Sequence, residues 1–145
     1  MTVNKLEFSL PTILALDPGR DKCGLAIVDC EQSVMEHQIV DSSQVLAVMK
    51  TLIEKYVINL IIIGDGTTSE KWQSQIKSSL TREIKVVTVN EANSTVEARD
   101  RYWEMYSPQG LQRLIPKGLR VTPRPVDDIV AIILIERYLA NFEKS

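Results

Sequence analysis

Residues 14–29, LALDPGRDKCGLAIVD, decide how the rest of the chain is read. An apolar run ends on Asp17, Pro18 and Gly19 turn the chain, and a second apolar run begins at Gly24. The stretch from Pro18 to Cys23 is too short to hold a crossover helix, so the two runs are expected to pair as an antiparallel hairpin. Asp17 then stands at the end of a buried strand, against a turn. An Asp before Pro-Gly is an ordinary turn former. A carboxylate at a buried strand end is also where the backbone can come close to a ligand, which turn chemistry alone does not require.

Outward from this hairpin, TILALD (12–17) and CGLAIVD (23–29) are the two buried strands, and VMEHQIVD (34–41) supplies a third. SSQVLAVMKTLIEKY (42–56) follows, with Val45, Val48, Met49, Leu52, Ile53 and Tyr56 at helical spacing and Ser42 or Ser43 available as the N-cap. INLIIIG (58–64) is a continuous β-branched run, the pattern of a strand covered on both faces. GDGTTSE then turns into a capped helix through Leu80, and KVVTVN (85–90) is a short strand ending at Glu91. A helix over 94–106, a basic segment punctuated by Pro and Gly, and a last helix over 126–139 complete the order. A three-strand antiparallel meander followed by βα units gives an α/β mixed sheet, two of its strands parallel, with helices on both faces. At 145 residues one domain, 1–145, is expected.

With 44% hydrophobic and 25% charged residues, the composition is that of an ordinary globular protein. The longest apolar run is too short to span a bilayer, and residues 1–11 lack a basic-then-apolar signal pattern, so a cytoplasmic protein without membrane association is expected. Cys23 and Cys30 flank one strand at a separation that points them to opposite faces, which argues against a disulfide or a metal clip. Net charge is −2, but residues 99–125 hold six basic side chains (Arg99, Arg101, Arg113, Lys117, Arg120, Arg124) against Asp100 and Glu104. That asymmetry, hidden in the net charge, suits a polyanion.

Three carboxylates fall at element ends: Asp17 after the first strand, Glu91 after the last, and Asp127 in the first turn of the final helix. In open α/β sheets such ends gather at one edge. Clustered carboxylates disfavour joint ionisation unless a cation neutralises them. Oxygen donors suit Mg²⁺ or Mn²⁺, whereas one histidine and two separated cysteines do not make a zinc site. Taken singly, each acid also reads as a turn former or a helix-dipole partner. His37 reads as a surface or satisfied sheet residue without a role, and Asp65 as a turn residue between strand and helix, with an approach to the metal edge as the alternative.

LDPGRDKCGLAIVD, NEANSTVEA (90–98) and VDDIVAIILIERYL (126–139) together resemble the three motifs of the YqgF/RuvX family, in the right order and over nearly the whole chain. That family has the ribonuclease H-like fold and is described as nucleases that process the precursor of small-subunit ribosomal RNA, or as Holliday junction resolvases. The resemblance implies catalytic and metal-binding roles for Asp17, Glu91 and Asp127, with Asp128 as the neighbouring alternative, and Mg²⁺ or Mn²⁺ as cofactor. It implies structured RNA or branched DNA as partner, and a two-fold symmetric junction would favour a homodimer. Ser94 and Thr95 match a Ser-Thr pair that opens the helix after the glutamate, where a hydroxyl cap is also the plain explanation.

Departures from the pattern are specific. Asp21 and Lys22 stand where the family commonly has Lys-Arg, Asn90-Glu91-Ala92 replaces Asp-Glu-Arg, and GDGTTS replaces a Gly-Leu-Pro loop. Lys22, Arg113, Lys117, Arg120 and Arg124 are the candidate phosphate contacts, and Tyr102, Trp103 and Tyr106 either stack on bases or pack in the core. Two alternatives stand beside a nuclease: a nucleic-acid-binding module of the same fold without turnover, and a nucleotide-phosphate-binding protein, since Asp-x-Gly hairpins also form phosphate loops.

Overall fold

β1 (Thr12–Asp17) and β2 (Lys22–Asp29) pair antiparallel, with Asp17 opposite Gly24 and Thr12 opposite Asp29, as the short Pro-Gly connection demands. The computed structural model describes residues 12–143; the N-terminal stretch read above for a signal pattern lies outside them. β3 (Val34–Asp41) extends the meander antiparallel to β2. β4 (Ile58–Gly64) then pairs parallel to β1, and β5 (Lys85–Val89) parallel to β4, giving the strand order β3-β2-β1-β4-β5. The inner position of β1 and β4 explains their apolar runs at 13–16 and 60–63, because both faces of each are covered.

Two helices lie on each face. α1 (Val45–Lys55) and α2 (Ser69–Ser79) pack Val45, Met49, Leu52, Trp72 and Ile76 against Leu14, Leu16, Leu25, Ile27, Ile61 and Ile63. α3 (Ser94–Met105) and α4 (Asp127–Glu143) cover the opposite face, against Ile13, Ala15, Ala26, Val28, Leu60 and Ile62. In α4 every residue from Ile129 to Ile135 is buried, so this helix is apolar around its circumference and lies across the sheet rather than along its rim. Each fully buried Ile or Leu contributes about 1.5–3 kcal/mol, and four of them (Ile129, Ile132, Leu134 and Ile135) anchor the helix whose first residue is Asp127. Between α3 and α4 the basic segment forms two short 3₁₀ turns, Gly110–Leu114 and Lys117–Leu119, on the surface. No helix among the described residues is long and apolar enough to cross a membrane.

Two expected caps take other partners. Ser42 belongs to a 3₁₀ turn before α1, and its hydroxyl donates to the Gly19 carbonyl at 3.0 Å, while Gln44 is the N-cap residue and makes no side-chain cap. Ser94 is the first residue of α3, and its hydroxyl donates back to the Glu91 carbonyl at 2.7 Å; Asn93 at the cap position has a left-handed backbone, φ 61°. In both places the hydroxyl satisfies a carbonyl of a neighbouring loop instead of a helix N–H. Each serine therefore fastens a loop that carries a candidate acid. Cys23 is buried and Cys30 exposed, both as free thiols.

Candidate active site

The acids converge through strand alternation. Successive side chains along a strand point to opposite faces, and Ile13 and Ala15 of β1 face α4, so Asp17 does too. The same parity carries Leu60 and Ile62 of β4 to Gly64, and Val87 and Val89 of β5 toward Glu91 just beyond the strand. β1, β4 and β5 are parallel and end together, with Leu16 beside Ile63 and Gly64 beside Val89. One row at the strand ends therefore reads Gly24, Asp17, Gly64, Val89, with glycine on each side of the acid.

Those glycines make the room. A Cβ on Gly24 would collide with the Asp127 carbonyl and the Asp128 backbone nitrogen, so the start of α4 rests directly on β2 beside Asp17. A Cβ on Gly64 would meet Glu91 Oε2, and one on Gly66 would meet Glu91 Oε1. The Glu91 carboxylate thus lies against the end of β4. Its backbone is fixed as well: the Glu91 N–H donates to Asp65 Oδ1 at 3.1 Å, and the Asp65 N–H to the Val89 carbonyl at 3.0 Å. Asp65 keeps the turn role expected of it.

Asp17 and Asp127 are in hydrogen-bonding contact. Burial, then the negative charges of Asp127 and Glu91, push Asp17 from 3.8 up to about 8, and Asp17 donates its retained proton to Asp127. Asp127 is also raised, by burial and by the charge of Asp128, against the lowering effect of that bond. Glu91 is raised by burial and by Asp65. Its Oε2 is buried and has no hydrogen-bond partner. Three carboxyls disfavoured as anions, one with an orphaned oxygen and all hard oxygen donors, fit a divalent cation of the magnesium type. Among the described residues, however, no three acidic, histidine or cysteine side chains already stand close enough to cage a metal ion.

Asp128 lies elsewhere. It is buried, accepts Arg124 Nη1 at 2.9 Å and meets His37 Nδ1 at 2.6 Å, and against the raising effect of burial these two hydrogen-bond partners hold its carboxyl below the usual range. It pins the first turn of α4 to β3, and His37 is the satisfied sheet residue expected. The turn after Asp17 is tied by Cys23 Sγ, 3.4 Å from the Gly19 nitrogen and 3.4 Å from Ser42 Oγ.

Most of the candidate phosphate contacts are engaged within the protein. Lys22 pairs with Asp41 at 2.7 Å and Lys117 with Glu104 at 3.5 Å. Arg120 donates to the Gln112 and Ile115 carbonyls and lies over the Trp103 ring; Arg124, besides Asp128, lies over Tyr102 and Tyr106. Arg113 is exposed and has no such partner among the described residues. Tyr102 is buried and Trp103 packs against the same core, so these rings are packing residues covered by the chain's own guanidinium groups. Sequence reading missed the glycine row, the Asp128 clamp and the Cys23–Ser42 tie. For the glycines a signal existed, since Gly24 and Gly64 keep the parity of Ala26 and Ile62.

Residues 11–102 match the family described as the Tex protein YqgF-like domain. A Flavobacterium psychrophilum protein described as "Putative pre-16S rRNA nuclease" is 25% identical over 137 residues, covering 91% of this chain and 98% of that protein. Among solved structures, Thermus thermophilus RuvC is similar with a TM-score of 0.58 at 12% identity, over 92% of this chain and 96% of that one. The fowlpox virus Holliday junction resolvase is similar with a TM-score of 0.55 at 14% identity, over 92% and 99%. The mixed five-stranded sheet is thus the ribonuclease H-like fold that the motifs implied.

Proposed function

Because the chain belongs to the family described as the Tex protein YqgF-like domain, we propose that its acidic strand edge is the active site of a divalent-metal-dependent endonuclease acting on structured nucleic acid. The observation that carries this reading is the Asp17–Asp127 contact, where burial forces two carboxyls from distant parts of the chain to share one proton. Burial makes the ionised pair costly to the fold, and a cation in the proton's place offsets that cost. Asp17 and Asp127 would hold Mg²⁺ or Mn²⁺, with Glu91 supplying its unpartnered Oε2. When bound, such an ion neutralises charge on a phosphoryl oxygen and lowers the pKa of a water, the two demands of phosphodiester hydrolysis.

The residues around the ion's place do the positioning. The Asp17 backbone is fixed by its ladder with Gly24 and by the tied turn that follows it. Asp127 is fixed by the Asp128 clamp to β3 and Arg124. Preorganised carboxylates need no rearrangement at the moment of reaction, which is where electrostatic catalysis gains most. Ribosomal-precursor RNA is the first substrate to test, because the curated relative's name specifies it. A second reading, binding without turnover, is favoured by one observation: the Glu91 carboxylate lies over Gly64 and Gly66 and does not complete a three-acid group.

Purified protein incubated with precursor RNA and with a four-way DNA junction, in Mg²⁺, in Mn²⁺ and in chelator, separates the two readings. Metal-dependent cleavage that falls to background in Asp17→Asn and Asp127→Asn is the expected outcome. Binding without cleavage in either metal selects the second reading, and cleavage that survives both substitutions removes this edge as the active site.

A further inference from the structure

An open groove of about 660 Å³ lies between the Asp-Pro-Gly turn and the start of α2. Arg20 forms one part of its wall and Lys71 another, and Glu91, the groove's one acidic lining residue, brings it to the acidic edge. We infer that this groove binds the phosphodiester backbone of a nucleic-acid strand and leads it to the carboxylates, a role distinct from that of the basic segment 99–125. The inference rests on the nucleic-acid reading above but not on turnover.

Charge availability is the first reason. Arg20 and Lys71 are exposed, and neither has an ion pair or hydrogen bond among the described residues. Lys22, Lys117, Arg120 and Arg124, by contrast, are each held by a carboxylate or by backbone carbonyls. A cation already paired must break that pair before it can take a phosphate; a free one gives its full counterion-release contribution.

Unspent hydrogen-bond donors are the second. The hydroxyls of Ser43, Thr67 and Thr68 line the groove, and none has a hydrogen bond among the described residues; Thr68 in particular does not cap α2 although it occupies the cap position. Hydroxyls, a guanidinium and an ammonium around one concavity are the donor set that phosphate and sugar oxygens take. Its volume exceeds what one phosphate fills and is within the range of nucleotide-sized sites. Position is the third reason. Pro18 and Gly19, which directly follow Asp17, are part of the lining, so a backbone in the groove passes the turn that carries the first acid.

The test is direct binding in chelator, where no cleavage occurs, of fluorescent single-stranded RNA and a fluorescent four-way DNA junction over a range of salt. The proteins are the full chain, its Arg20→Ala/Lys71→Ala variant, and a Lys77→Ala/Lys85→Ala control that removes the same charge from partnerless exposed lysines elsewhere. For the probe that is bound, the groove variant should lose about tenfold or more in affinity and lower the slope of log K against log salt by about 1.4–1.8, two contacts' worth, while the control keeps the wild-type slope. An unchanged slope in the groove variant overturns the groove and leaves the nuclease reading intact. Binding with the expected slope change, but no cleavage when metal is restored, keeps the groove and overturns turnover. No salt-dependent binding of either probe by the wild type overturns both.

Discussion

Asp17 is central to the proposed chemistry, and its protonation makes a prediction about stability as well as activity. Its carboxyl is raised from 3.8 to about 8, first by burial and then by Asp127 and Glu91. Between those values the folded chain keeps a proton that the unfolded chain has released. Its stabilising contribution is therefore complete below about pH 4 and is lost as pH rises through about 8. Asp127 and Glu91 are raised too and add with the same sign, whereas Asp128 is lowered, so its contribution is lost only at lower pH, as its own carboxyl protonates. Thermal melts in chelator should show the wild type losing stability from about pH 4 to about pH 8, with Asp17→Asn flatter across that interval and more stable at its alkaline end. Mg²⁺ should raise the melting temperature more at the alkaline end, because the cation no longer competes with the shared proton. Parallel melting curves for the two proteins, with or without Mg²⁺, would show that Asp17 is an ordinary exposed turn acid.

At the level of elements, the site depends on how closely α4 approaches the sheet. Gly24 makes no chemical contribution, yet any side chain there would strike the backbone of Asp127 and Asp128. Gly24→Ala should cost about 1–3 kcal/mol in denaturant melts and should abolish cleavage, because the helix can relieve the clash only by lifting Asp127 away from Asp17. Gly118→Ala, where a Cβ meets nothing, should stay within about 0.5 kcal/mol of wild type. If Gly24→Ala proves as silent as Gly118→Ala, the close approach is not what assembles the pair. The same contrast marks what can be read from a sequence. Thr12–Asp17, Lys22–Asp29 and Ile58–Gly64 are legible because burial on both faces dictates most of their residue types directly. A serine before a helix reads as a cap from local chemistry, but the Ser42 hydroxyl goes to the Gly19 carbonyl, 23 positions away, and the Ser94 hydroxyl to the Glu91 carbonyl at i−3. Of the two arms of the Asp128 clamp, Arg124 stands at the helical i,i+4 spacing, whereas His37 lies 91 positions away, and no local spacing encodes that contact.

Across the whole molecule, a net charge of −2 conceals a division between cations that hold the protein together and cations that are free to meet a partner. A count of charges marks segment 99–125 as a candidate phosphate-binding stripe but carries nothing about the partners of those charges. In the fold, Arg120 closes the 3₁₀ turns through two carbonyls, at 3.0 Å and 2.9 Å, and Arg124 secures the start of α4. Replacing Arg113, Arg120 and Arg124 together would therefore mix loss of structure with loss of charge. The separate substitutions come apart. Arg120→Ala should destabilise by about 0.5–1.5 kcal/mol for each bond lost and make the segment around residues 110–120 the first site of limited proteolysis. Arg113→Ala should leave both melting and proteolysis at wild-type values, and should lower the salt slope of nucleic-acid binding by about one contact at most. Arg120→Ala with wild-type protease resistance, or Arg113→Ala with a slope change as large as that of the Arg20/Lys71 pair, would return the binding surface to the basic segment.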